Sequence, residues 1–225
     1  MRLLQRVVIL AAVAVAGLAP AGATTVAAAS AKAAAAVRAA ASAKAAATGS
    51  MQAATAAITV TATIPVGNGP MGVAANPRTS TIYAANGSDG TVSVISGRTN
   101  TVTATVGVSG GAVGVAVNPR TRAIYVTTGT PGVAVISGRT NMVVATVPLG
   151  VFPVALAVNP RTNTTYVADE DTDTVSVISG RTNAVTATVG VGDFPVAVAV
   201  NPRTNTTYVA NFAGDTVSVL TSRPR

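Results

Sequence analysis

From residue 58 onward the chain is written in short runs where hydrophobic and small or polar residues alternate. The period is two, and no helical stripe follows residue 57. In the last stretch, Pro195–Asn201 (PVAVAVN), Thr207–Ala210 (TYVA) and Thr216–Leu220 (TVSVL) read as three strands a, b and c. A fourth, d, is Thr186–Val191, or Thr59–Val66 at the start of the series. All are rich in Val, Thr, Ile and Tyr, the residues that suit a pleated surface. Asn-Pro-Arg-Thr punctuates a and b, and Ser-Gly-Arg-Thr-Asn punctuates c and d.

The pattern recurs. Asn-Pro-Arg stands at 76–78, 118–120, 159–161 and 201–203, and Gly-Arg-Thr-Asn at 97–100, 138–141 and 180–183. Residues 58–225 make 168 positions, or four units of about 42. That period, with four strands per unit, predicts an all-β protein, a β-propeller of four four-stranded blades. A β-solenoid is the alternative, although its rungs are usually shorter.

Strand b of each unit reads Tyr83-Ala84-Ala85-Asn86, Tyr125-Val126-Thr127-Thr128, Tyr166-Val167-Ala168-Asp169 and Tyr208-Val209-Ala210-Asn211. With the T-V-S-V-I and T-N-x-V-x-A-T-V segments, these units resemble the YVTN-family β-propeller repeat over about three quarters of the chain. The resemblance implies a secreted or surface propeller, often of about seven blades and mostly without an assigned activity. Two departures stand out: only four repeats are present, and Ser-Gly-Arg replaces the acidic residue common after strand c.

The series opens with a d strand, Thr59–Val66, and ends with a c strand, Thr216–Leu220. This phase predicts that the N-terminal strand completes the last blade and hides its open edge. Four blades in one ring stand about 90° apart and eight about 45°. The wider wedge needs bulky side chains to fill it. The repeats hold only four Tyr and three Phe, and their inner strands are Ala, Val and Gly. A homodimer sharing one ring therefore fits better than a four-bladed monomer. A fragment needing a partner chain is the third possibility.

The first 57 residues differ. Arg2 and Arg6 precede an apolar run of 13 residues, Val7–Ala19, and then Ala21-Gly22-Ala23. Residues 1–23 thus read as a secretory signal, too short for a membrane span of about 20 apolar residues. Residues 24–57 are an Ala-rich, helix-prone linker whose three charges, Lys32, Arg38 and Lys44, line no single face. The expected location is secreted or at the cell surface, with no transmembrane span in the mature chain.

Composition limits the chemistry. The chain has no His, Cys or Trp, which removes His-based triads, thiolate sites and disulfides. No cofactor is expected. Charge divides by loop. Asp89, Asp169, Glu170, Asp171, Asp173 and Asp215 fall in b–c loops and Asp193 in a d–a loop. Arg78, Arg120, Arg122, Arg161 and Arg203 fall in a–b turns; Arg98, Arg139 and Arg181 fall in c–d turns, with Arg223 and Arg225 after the last c strand. Hairpin topology puts the acids at one end of the blades and the arginines at the other.

The planar guanidinium suits phosphate and carboxylate, so Arg78, Arg98, Arg120, Arg139, Arg161, Arg181 and Arg203 are candidates for an anion-facing surface. The bland reading of each is a soluble turn residue copied by repetition. Nucleic acid fits poorly, because no aromatic is interleaved with these arginines for base stacking. At the acidic end Phe152, Asp193, Phe194, Phe212 and Asp215 are candidate ligand-binding residues; the simpler reading of each Phe, and the favoured one, is that it folds down to plug the ring. Asp169, Asp171 and Asp173 alternate as in a Ca²⁺ loop, but Thr174 stands where such loops need Gly.

The sequence thus points to an exported, non-enzymatic propeller that acts as a binding or envelope scaffold. Its expected partner is a protein or an anionic envelope polymer. The rival is a lactonase-like hydrolase or metal-assisted enzyme using loop carboxylates, since related propellers include lactonase-like and dehydrogenase-like activities.

Overall fold

The computed structural model describes residues 58–130, 132–149 and 152–221. The signal and linker expectations, and Arg223 and Arg225, lie outside the described residues. Of the described residues, 62–221 belong to one compact unit and 58–61 to another.

Among its described residues the larger unit is all-β apart from one short 3₁₀ turn at Glu170–Thr172. Its first repeat supplies β1 (Pro70–Asn76), β2 (Thr81–Asn86), β3 (Thr91–Ser96) and β4 (Thr101–Gly107). The second supplies β5 (Ala112–Asn118), β6 (Ala123–Thr128), β7 (Gly132–Ser137) and β8 (Met142–Pro148). The third supplies β9 (Pro153–Asn159), β10 (Thr164–Asp169), β11 (Thr174–Ser179) and β12 (Ala184–Gly190). The last has β13 (Pro195–Asn201), β14 (Thr206–Asn211) and β15 (Thr216–Thr221). Each repeat folds into its own antiparallel meander, giving three four-stranded sheets and one three-stranded sheet.

The turn chemistry explains the hairpins. In every Asn-Pro-Arg the Asn Oδ1 accepts the Arg backbone N–H at 3.0 Å: Asn76 from Arg78, Asn118 from Arg120, Asn159 from Arg161 and Asn201 from Arg203. The side chain mimics a backbone turn. The Asn closing each Gly-Arg-Thr-Asn has a left-handed backbone, with φ 55° at Asn100, 54° at Asn141 and 52° at Asn183. Asn tolerates that region better than most residues do.

The sheets pack through three apolar clusters, each between one repeat and the next. The first joins Tyr83, Val92 and Val94 to Ile124, Val126 and Ile136, with Val115 packed against it. The second joins Tyr125, Val133 and Val135 to Val167 and Ile178, with Leu156 against it. The third joins Tyr166, Ala168 and Val175 to Val198 and Val209. Adjacent inner strands also pack in series, β1 on β5, β5 on β9 and β9 on β13. This is a propeller-like succession of blades.

The phase differs from the sequence reading. Sheets begin with the inner strand, at Pro70, and residues 58–66 form no strand. Among the described residues the sheet β13–β14–β15 has no fourth strand. Gly67 instead lies against Asn86 and Asp89 of the first repeat. It is tethered there by Asn68, whose backbone N–H donates to Asp89 Oδ2 at 2.7 Å and whose Nδ2 donates to Asp89 Oδ1 at 2.9 Å.

Candidate functional site

Antiparallel pairing puts the a–b and c–d turns of a sheet at one end. Backbone bonds tie them together: Gly97 N–H to Ser80 O, Gly138 to Arg122 O and Gly180 to Asn163 O, at 2.7–2.8 Å. At the other end the b–c and d–a loops bond to each other, as in Gly87 N–H to Gly69 O and Phe212 N–H to Phe194 O. The sequence sorting of charge therefore holds within each sheet. Arg78, Arg98, Arg120, Arg122, Arg139, Arg161, Arg181 and Arg203 lie in the first set of turns. All seven acids lie in the second set.

The turn ends of neighbouring sheets are bonded too. Asn118 Nδ2 donates to Asn163 Oδ1 and Asn159 Nδ2 to Asn205 Oδ1, both at 2.7 Å. Arg161 Nη1 donates to Arg203 O at 3.3 Å. These rungs hold the arginine-bearing turns at fixed spacing. Arg161 is thus partly engaged in structure, while Arg78, Arg98, Arg120, Arg139, Arg181 and Arg203 are exposed or half-buried.

At the acidic end the structure brings together four of the five candidate ligand-binding residues. The Phe194 and Phe212 ring centroids lie 6.0 Å apart at 53°. Phe212 N–H donates to Phe194 O at 2.8 Å and Ala213 N–H to Asp193 O at 3.2 Å, which sets Asp193 beside the loop carrying Asp215. Phe194 has a left-handed backbone, φ 58°, and its N–H donates to Asp173 Oδ1 at 2.7 Å. Phe212 is exposed. Phe152 is not part of this group; it packs on the third apolar cluster.

The alternating carboxylates Asp169 and Asp173 turn to different partners. Among the described residues no group of three acidic side chains is placed to hold a metal. Asp169 ends a strand and turns inward, where Ser176 Oγ donates to its Oδ2 at 2.6 Å. Its other oxygen, Oδ1, is buried with no hydrogen-bond partner. Burial raises the Asp169 carboxyl above its ordinary value, and the Ser176 bonds only partly offset this. Asp173, past the 3₁₀ turn, faces the Phe194 N–H instead. In the first and last repeats Asn fills the Asp169 position. Asn86 Nδ2 donates to Thr91 Oγ1 and Ser93 Oγ, and Asn211 Nδ2 to Thr216 Oγ1 and Ser218 Oγ. The acid reverses the direction of this clamp: Asn donates and Asp accepts.

One feature escaped the sequence reading. The inner strands surround a groove of about 630 Å³. Met71, Val73, Val115, Leu156, Val196 and Val198 contribute to a lining made only of apolar residues. Its signal was present in the Ala, Val and Gly content of the inner strands.

No family model and no curated protein matches the chain. Among solved structures it is similar to Kuenenia stuttgartiensis hydrazine synthase, with 22% identity and a TM-score of 0.61. The similarity covers 72% of this chain and 46% of that chain, so this chain spans less than half of that structure. At this identity the likeness supports the propeller-like all-β fold.

Proposed function

We infer that the protein is an exported, non-enzymatic scaffold built on YVTN-type propeller repeats, and that its arginine end docks on an anionic polymer of the cell envelope. The observation that carries this reading is the charge partition. Every described arginine lies in the turns of one end, and every acid in the loops of the other. A surface rich in guanidinium forks attracts phosphate- or carboxylate-bearing chains. Export rests on the sequence of residues 1–23. The inner groove is lined by residues without titratable side chains, which favours binding over acid–base chemistry.

The test is binding of the purified full chain to a teichoic-acid-type poly(polyol phosphate), across a salt series. We expect saturable binding that weakens steeply with salt. Replacing Arg120, Arg139 and Arg181 by Gln should weaken it at least tenfold, and replacing Asp89 and Asp215 by Asn should not. Equal loss from both sets, or binding indifferent to salt, would overturn the reading. Retention of an acidic protein but not of the polymer would move the partner to the protein class.

A further inference from the structure

We propose that the two end sheets of this chain are each other's missing neighbours, and that a second copy of the chain joins them head to tail. The internal joints define what such a contact looks like. In each, the Tyr and two Val of one sheet are covered by the next. Tyr83, Tyr125 and Tyr166 are 2%, 1% and 7% exposed. Their counterpart Tyr208, in the last sheet, is 41% exposed. Val92, Val133 and Val175 are fully buried, whereas their counterpart Val217 is 60% exposed, and Val219 is equally open.

The first sheet shows the complementary deficit. Val115, Leu156 and Val198 each sit against the cluster of the preceding repeat. Val73 holds the same place in the first sheet and is 59% exposed. The turn glycines repeat the relationship. A β-carbon added at Gly138 would stand 3.0 Å from the Tyr83 hydroxyl, and one at Gly180 would stand 2.7 Å from the Tyr125 hydroxyl. At Gly97 of the first sheet the nearest atoms belong to Ile82 and Ser80, and no tyrosine is among them. So Tyr208 has no glycine turn to rest on, and Gly97 has no tyrosine resting on it.

A polar device points the same way. Asn118 and Asn159 donate to residues 163 and 205 in the next sheet. The equivalent donor in the last sheet, Asn201, is exposed. The equivalent acceptor position in the first sheet is Ser80, whose hydroxyl can accept. The arriving copy also brings Ala62–Val66 ahead of β1. Its sequence Ala-Thr-Ile-Pro-Val parallels Ala145–Leu149, the second half of the outer strand β8 and the residue after it. It can add to the edge of β15 as the fourth strand.

The contact is heterologous, tail of one copy on head of the other. It closes with two copies if the four sheets of each cover half a ring, about 45° per sheet. Closure surrounds the apolar groove with eight inner strands and leaves no end sheet open. The inference is independent of what the arginine end binds.

The test uses the full chain and light scattering after size exclusion, with circular dichroism on the same peak. The expected mass is twice 21.9 kDa. Val73→Asp and Val217→Asp alter opposite faces, each at an exposed position. Each should remain a folded β protein and elute at the single-chain mass. A second measurement exploits the absence of cysteine. Val73→Cys chains mixed with Val217→Cys chains, treated with a short bis-maleimide, should give a covalent heterodimer, and neither variant alone should do so efficiently. A wild-type monomer at micromolar concentration, an open-ended polymer, or a dimer unaffected by both Asp variants would overturn the proposal.

Discussion

The hydroxyl of Tyr125 lies so close to Gly180 of the following sheet that an added β-carbon there would stand 2.7 Å from it. A tyrosine of one repeat is thus seated on a glycine turn of the next. The same pair recurs as Tyr83 and Gly138. This explains two repeated sequence features together. The Tyr of strand b is a joint residue, and the Gly of Gly-Arg-Thr-Asn leaves room for it.

Gly180→Ala should therefore destabilise the protein by about 1–3 kcal/mol through overpacking. Urea denaturation followed by circular dichroism measures this. Adding Tyr125→Phe removes one of the crowding atoms and should recover part of the loss. Recovery should be incomplete, because the Asn163 Oδ1 would stand 2.5 Å from the new carbon.

Asp169 is a buried carboxylate doing the work that Asn does in the first and last repeats. Asp169→Asn should raise stability at neutral pH by about 1 kcal/mol or more, by removing a buried charge with an unpaired oxygen. The pH dependence follows from the raised folded-state value. The wild-type carboxyl supports the fold fully below its unfolded value, near 3.8, where it is protonated. That support is lost as pH rises through the elevated folded value. The stability gap between Asp169→Asn and wild type should therefore widen from pH 4 toward neutral. Thermal melts across that range check it; a gap that narrows on raising pH would contradict the assignment. Asp89 moves in the opposite sense, held low by the Asn68 bonds, so the comparison must be with the variant and not with the absolute curve.

The cross-sheet amide rungs are incomplete. Asn118 finds Asn163 and Asn159 finds Asn205, but Arg122 stands at the position opposite Asn76 and has no side-chain acceptor. Arg122 also adopts φ 64°, a region that Asn enters more readily. Arg122→Asn should stabilise the first joint by about 0.5–1.5 kcal/mol. Asn159→Ala should cost about 1–3 kcal/mol, since it breaks a rung and leaves the Arg161 N–H without its acceptor. Both are read from urea midpoints.

Much of this was legible in the residues. Asn-Pro-Arg and Gly-Arg-Thr-Asn gave the repeat length, the hairpins and the division of charge, because turn chemistry is local. That residues 58–66 form no strand on the last sheet of their own chain was not legible. Strand propensity tells that a segment can pair, not which edge it meets, and here the Asn68–Asp89 bonds hold the adjoining residues on the first sheet. The spacing of Asp169, Asp171 and Asp173 suggested one cation site, but side chains at a strand end and beyond a 3₁₀ turn point to different partners. The amide rungs and the tyrosine seat depend on contacts about 45 and about 55 residues apart, which a repeat implies only once the packing is known.

The central claim is that each strand-b tyrosine is a joint residue, and that Tyr208 completes its joint on a second copy. Fluorine NMR of the full chain labelled with 3-fluorotyrosine, with a soluble paramagnetic agent, measures this residue by residue. The account predicts that Tyr83, Tyr125 and Tyr166 are protected under all native conditions. It predicts that Tyr208 is protected in the wild type and becomes accessible in Val73→Asp. Accessibility of any of the three internal tyrosines, or of Tyr208 in the concentrated wild type, would contradict it.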